Sequence, residues 1–433
     1  MFIPERRLAP LGIVLFVGIM LFFFWRSHEA FLSPVLAYED GSIMLSYYNS
    51  HPEITKIFRF YSGYVSVLPN LIGYLSVQLI PLRLVPYALA LYPLLLATAT
   101  YSLLLLPRFR TLIDNDIHRL GITVFVAIMP HGQVYLVSNT TYSLWNLLLL
   151  LLLFTLAPAA KSWQGRTIEL TAMILAAVST PLSIVAVPVF VFNLFRHKGH
   201  ADRIRNSILI VVVVLYVAIG TQSAGLALLS NLLARIEVTW LYFLQRVVAE
   251  SVLGYNLRLA LFQGGQLWII YTAAMTICIG LAVIIDRRYQ RFQRESFINL
   301  GILLYYLGAI TFLSVISRQL DPVSHMGAWN IRYFYVQHVF FWLFVGIIIT
   351  KAVDWQQTVR PVKALVLSLV FVYAIWMAYE QRPIYQTSYS EGRVLATFLA
   401  NVESTRAILT PGERADFHLD RNGFNIYLRY TGK

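Results

Sequence analysis

Long apolar runs separated by short basic loops constrain this chain more than any other feature. Segments such as LGIVLFVGIMLFFFW at 11–25 and LWNLLLLLLLFTLA at 144–157 carry no charge at all. Runs of about 20 apolar residues match the thickness of a bilayer's hydrocarbon core. The chain has 433 residues, 58% of them hydrophobic and only 13% charged, whereas soluble domains carry roughly 25% charged residues. The expected fold is an all-α polytopic membrane protein with about 11 transmembrane helices. They are placed near 10–26, 85–106, 120–136, 142–158, 167–182, 183–195, 207–225, 265–285, 296–317, 333–350 and 363–380. The pair meeting at Thr180-Pro181 reads either as two helices or as one kinked passage, because proline breaks the helix ladder.

Charge gives the orientation. Arg6 and Arg7 precede the first apolar run, which ends in FFFW without a small-residue cleavage site, so it reads as a retained signal anchor. The segment Tyr64–Pro81 has spanning length but contains Pro69, Asn70, Gly73 and Gln78. If it lies at the interface, more than half of the 34 basic residues fall on one side. They include Arg108, Arg110, Arg119, Lys161, Arg166, Arg196, Arg203, Arg205, Arg287, Arg294 and Lys351. That side is cytoplasmic by the positive-inside rule. The net charge of +13 is this bias. No basic face on a soluble domain is visible, so no nucleic acid partner is expected. Cys278 is the only cysteine, which rules out an intramolecular disulfide. The outcome is a transmembrane domain over 1–380 and a short C-terminal segment over 381–433. A long first external loop at about 27–84 holds juxtamembrane helices, and a second external loop at about 226–264 is aromatic and basic.

Four external stretches carry residues suited to chemistry. Glu39-Asp40-Gly41 places two carboxylates where the chain leaves the bilayer. They can act as a base or a metal ligand, with Gly41 letting the backbone turn; the plainer reading is that Asp40 caps the helix starting at Ser42. In RFYSGYVSVLPN, Arg59 can meet a phosphate while Tyr61 and Tyr64 line a sugar site; an interfacial aromatic belt reads equally well. In PHGQVYLVSNTTYSLW, His131, Gln133, Asn139 and Tyr142 can contact a polar substrate, or simply form a turn before Trp145. In RQLDPVSHMGAWNIRYFYVQH, Arg332 and Tyr333 meet the start of an apolar helix. An arginine at that depth needs a partner, which is a lipid phosphate or a carboxylate such as Asp321 or Glu250. The helix interiors show no ionisable relay of the kind pumps use. No P-loop, GxSxG, HExxH or CxxC motif points to other chemistry.

In their order these stretches resemble one bacterial group of the GT-C superfamily, polyprenyl-phosphate-sugar-dependent membrane glycosyltransferases. The resemblance covers about 10–350. It rests on Glu39-Asp40-Gly41, Tyr61-Ser62-Gly63-Tyr64, Pro69-Asn70, Gln133-Val134, Asn139, Trp145, Thr180-Pro181 and Arg332-Tyr333-Phe334. The resemblance implies that Asp40 is the general base, that Glu39 assists it, and that Arg332 with Arg59 holds the departing polyprenyl phosphate. Tyr61, Tyr64, His131, Gln133, Asn139 and Tyr333 complete the expected substrate site. The group often has glutamate where this chain has Gln133, so no metal cofactor is expected. Arginine is the residue expected where Asn70 stands. The implied partners are a polyprenyl-phosphate-linked sugar donor, a glycan or lipid acceptor and membrane lipid. The implied location is a bacterial inner membrane, with the N-terminus cytoplasmic and the C-terminal segment periplasmic. The competing readings are a lipid-linked saccharide flippase, a polymerase- or ligase-like protein of envelope polysaccharide assembly, and an inactive scaffold.

Overall fold

The computed structural model describes residues 5–36, 39–61, 63–129, 135–197, 199–220, 236–288, 294–317, 333–352, parts of 368–379, 389–411, 413–421 and 424–431. Helices dominate it. The strands among the described residues form two antiparallel hairpins, Phe60–Tyr61 with Tyr64–Val65 and Arg414–Arg421 with Phe424–Thr431. Four helices are long and apolar enough to cross a membrane: Leu82–Leu105, His200–Gly220, Leu267–Arg287 and Arg294–Val315. Shorter apolar helices accompany them at Pro10–Arg26, Val67–Leu79, Thr141–Thr155, Pro181–Arg196 and Tyr335–Lys351. The chain is an all-α membrane protein. Its outer surface is apolar, with Ile13, Val211, Leu215, Ile279 and Val283 exposed.

At the centre lies the leucine run. Every residue of helix Leu144–Thr155 is buried, as expected of a helix that is hydrophobic all round. Helix Val67–Leu79 has 13 residues, which at 1.5 Å per residue gives about 20 Å, short of the ~30 Å hydrocarbon core. The break at Thr180-Pro181 separates helix Trp163–Ala177 from helix Val187–Arg196, with Thr180 extended at φ −147° and ψ 129°. Several boundaries differ from the sequence expectation, among them the start of helix His200–Gly220, expected at 207. The helix expected at 120–136 runs instead from Asp116 to Ile128. Asn115 Oδ1 caps it by accepting from the Ile117 and His118 N–H groups at 3.0 and 3.4 Å. Of the expected loop at 226–264, residues 236–263 are helical apart from Gly254. Ile236–Tyr242, the π-helical Phe243–Ala249 and Glu250–Leu253 run on to Gly254, whose φ of 80° breaks the run before helix Tyr255–Gln263. Its charges look loop-like in sequence, but Arg246 and Glu250 stand one turn apart and pair.

Ion pairs gather the basic loops at one end of the molecule. Glu169 receives both Arg108 and Arg205, the latter at 2.5 Å. Asp116 takes Arg110 at 2.8 Å and Arg119 at 2.7 Å. Lys351 reaches Asp114 at 2.8 Å, Arg196 pairs with Glu295, and Asn299 donates to the Thr111 carbonyl at 3.2 Å. At the other end, Ser66 donates to the Ser179 carbonyl at 3.0 Å and Tyr216 to the Val65 carbonyl at 2.6 Å. Helix Trp163–Ala177 therefore runs from the basic end to the opposite one, and helix Val187–Arg196 returns.

The described part of the C-terminal segment sits on the first loop. Leu395, Leu399 and Val402 of helix Tyr389–Ile408, with Ile426 and Leu428 of the last strand, share an apolar cluster with Leu36, Met44, Leu45 and Tyr48. The Tyr427 N–H donates to Ser46 Oγ at 2.9 Å. Gly41 does not supply a turn: a Cβ there would lie 3.0 Å from the Leu36 carbonyl and 3.1 Å from Ile426 Cγ1, so this glycine makes room for the strand.

Arg205 is buried, and Glu169 is what compensates its charge. Glu169→Ala is expected to destabilise the protein by ~3–5 kcal/mol, read as a lowered unfolding midpoint in detergent, while Asp416→Ala, which removes an exposed pair with Arg429, leaves that midpoint nearly unchanged.

Candidate functional site

Asp40 opens the π-helical stretch Asp40–Tyr47 and is only 2% exposed. Its carboxylate does not cap its own helix. It reaches instead to the loop just before the central helix. Oδ2 accepts from the Thr140 N–H at 2.8 Å; Oδ1 accepts from the Thr141 N–H at 3.0 Å and the Thr141 hydroxyl at 2.8 Å. These are amides at the start of the central helical segment Thr141–Thr155, where N–H groups lack partners within the helix. Burial pushes the Asp40 carboxyl up to about 7. The three donors pull it back down, and the neighbouring Glu39 adds a smaller upward push.

The loop that receives Asp40 is a satisfied polar network. Asn139, 1% exposed, accepts from the Tyr142 N–H at 2.9 Å. Thr140 donates to the Leu89 carbonyl at 2.6 Å and Ser143 to the Thr140 carbonyl at 2.6 Å. Asn146 donates to the Leu136 carbonyl and accepts from the Tyr335 hydroxyl, both at 2.6 Å. Asn139 is thus a turn-holding residue in this structure, buried and bonded.

The other residues singled out from sequence spread around this centre. Glu39 is half-buried, and its Oε2 is buried without a hydrogen-bond partner, a state that in folded proteins invites a functional explanation. The Arg59 guanidinium lies 3.8 Å from the Tyr47 ring centroid, a cation–π contact on the same π-helical stretch as Asp40. Tyr64, half-buried, pairs with Tyr61 across the small hairpin, where Gly63 supplies the φ of 87° that the turn requires. Tyr64, Ser66, Asn70 and Thr141 border a cavity of about 10 Å³, room for about one water. Asn70 donates to the Ile57 carbonyl at 2.9 Å and so ties helix Val67–Leu79 to the first loop. Tyr333 is buried edge-on against Trp145, ring centroids 5.5 Å apart. His131, Gln133 and Arg332 lie outside the described residues, as do Asp321 and the side chain of Tyr61.

A second cluster escaped the sequence reading. Arg246, Glu250 and Arg258 are all essentially buried, and Glu250 Oε2 lies 3.2 Å from Arg246 Nε and 3.0 Å from Arg258 Nε. His338 donates from Nε2 to the Arg246 carbonyl at 2.5 Å. The Arg246 guanidinium lies 5.1 Å from the Phe334 ring centroid, directly after Tyr333 in the chain. The i,i+4 spacing of Arg246 and Glu250 was the available signal. Beside this helix runs an apolar groove of about 520 Å³, walled by Trp240, Phe243, Leu281, Leu304, Phe341 and Phe344. Among the described residues no three His, Cys, Asp or Glu side chains converge as a metal site would require.

A carboxyl held near 7 in the fold and near 4 in the unfolded chain favours the folded state when protonated. That contribution is complete below about pH 4 and is lost as pH rises through about 7. The unfolding midpoint of the wild type minus that of Asp40→Asn is therefore expected to fall between about pH 5 and pH 8. A flat difference across that range would remove the perturbed carboxyl. Comparison of the chain with protein-family models, with curated proteins and with solved structures gives no match.

Proposed function

We propose that the protein is an integral-membrane glycosyltransferase of GT-C type, acting at the face opposite the basic loops. The observation that carries this reading is Asp40. It is a buried carboxyl raised to about 7, on the same loop as Arg59 and at the end of the molecule away from the basic ion pairs. A general base works best when its pKa lies near the working pH. The apolar groove offers a place for an isoprenoid tail. Arg332 and Arg59 are the cations for the donor's phosphate, and Arg246, on the helix that walls the groove, is buried against Glu250.

In the proposed reaction Asp40 takes the proton of an acceptor hydroxyl. The acceptor oxygen forms a bond to the anomeric carbon as the bond from that carbon to the phosphate oxygen breaks. The electron pair leaves with the polyprenyl phosphate, and the configuration inverts. Guanidinium groups offset the charge that develops on the leaving phosphate. Glu39 orients the acceptor. The basic loops face the cytoplasm of a bacterial cell and Asp40 faces the periplasm, where envelope glycans or lipids serve as acceptors.

A second reading, a lipid-linked saccharide flippase, draws on the buried Arg246–Glu250–Arg258 cluster, since ionisable groups within a helical bundle often line a translocation route.

The decisive comparison is wild type against Asp40→Asn, purified in lipid and supplied with polyprenyl-phosphate sugars and acceptors. Wild-type turnover is expected to rise through about pH 7 as the carboxyl ionises. Asp40→Asn is expected to lose turnover at least 100-fold with donor binding retained. Equal turnover in both proteins removes Asp40 from the mechanism. Transbilayer movement of the lipid-linked sugar without bond transfer, lost in Glu250→Gln, selects the flippase.

A further inference from the structure

The basic end holds a second built pocket, far from Asp40. It has a volume of about 440 Å³ and lies where helices Trp163–Ala177 and His200–Gly220 begin. Its inner wall is the carboxylate pair Glu169 and Asp202. Both are already engaged: Glu169 by Arg108, by Arg205 and by the Ala160 N–H at 3.0 Å; Asp202 by the Ala159 N–H at 2.7 Å and by Arg205 at 3.4 Å. Those contacts fix the wall and compensate its charge. The outer rim is cationic. Lys161, Arg166 and His200 line it and stand exposed. Arg166 is held in place by hydrogen bonds from Nε to the Ala160 carbonyl and from Nη2 to the Lys161 carbonyl, both 2.9 Å. A guanidinium anchored in this way is preorganised to receive an anion.

The surroundings say what kind of anion. Leu170 and Ile204 line the same pocket. Trp163, Ile168 and Phe195 stand 72%, 71% and 79% exposed beside it. An exposed tryptophan at the end of an apolar helix marks the headgroup level of a bilayer. A cationic rim with apolar flanks at that level fits a molecule that is anionic at one end and greasy at the other. A soluble phosphate would leave the flanks unused.

We propose that this pocket binds the phosphate headgroup of an anionic phospholipid in the leaflet at the basic end. Lys161 and Arg166 meet the phosphate, and the acyl chains lie along Trp163, Ile168 and Phe195. The lipid bridges the starts of two helices that are otherwise joined at this end through Glu169 and Arg205. The proposal stands independently of the glycosyltransferase reading.

The test uses the full chain in detergent, titrated with short-chain phosphatidylglycerol or phosphatidylcholine and read by native mass spectrometry and thermal shift. Wild type is expected to bind and be stabilised by phosphatidylglycerol and not by phosphatidylcholine. Lys161→Ala with Arg166→Ala should weaken that binding on the order of tenfold or more, and added salt should weaken it in wild type. The charge-preserving pair Lys161→Arg with Arg166→Lys should retain at least half of the stabilisation. Equal binding of the two lipids, or unchanged binding by the double alanine variant, overturns the proposal. Displacement of the lipid by an equal concentration of glycerol phosphate or inorganic phosphate also overturns it, because the site would then read a free phosphate and not a lipid.

Discussion

The contact between Asp40 and the amides of Thr140 and Thr141 ties the molecule together. Three hydrogen bonds, all to one carboxylate, join the segment after the first apolar helix to the start of the central helix. That helix is buried on every side, so its first amides have no solvent to turn to and need an acceptor. Asp40 supplies it across 100 residues of chain. Burial at this meeting point raises the carboxyl's pKa while the three donors restrain the rise, so the architecture and the candidate chemistry share one place in the fold. The C-terminal hairpin closes over the stretch from the other side, with Ile426 against Gly41.

Charge sorts the two ends of the bundle. At the basic end, Arg108, Arg110, Arg196 and Arg205 are drawn onto Glu169, Asp116 and Glu295, and the buried pairs among them act as rivets between helices. Such pairs add little stability when compared with apolar packing, yet losing one partner is costly, which makes them good determinants of which helix ends meet. At the opposite end Arg59 lies on Tyr47, and Arg246 lies on Phe334 while also paired with Glu250.

Much of the fold was legible in the sequence. The apolar runs near 10–26, 142–158 and 296–317 are helices with boundaries close to those expected, because a long charge-free run has few alternatives in lipid. The separation at Thr180-Pro181 was legible for the same kind of local reason. The Arg246–Glu250–Arg258 cluster was not. Its residues read as loop cations because burial of an arginine depends on a carboxylate whose distance in space composition does not reveal. The helical nature of 236–253 was missed for that reason too. At the site, sequence picked out Asp40 but assigned it the wrong helix to cap: local spacing favours Ser42 as the helix start, and the true partner lies in another loop.

By itself the sequence determined that this is a bundle of apolar helices with one basic end and with carboxylates at the exit of the first apolar helix. Those properties follow from local composition, since a bilayer accepts only segments that satisfy their own backbone and carry little charge. Only the tertiary structure decided that Asp40 is buried, that it clamps Thr140 and Thr141, and that the C-terminal strand packs on Gly41. Each of these needs two distant segments at one point in space, and burial and proton affinity are properties of that meeting place, not of either segment alone.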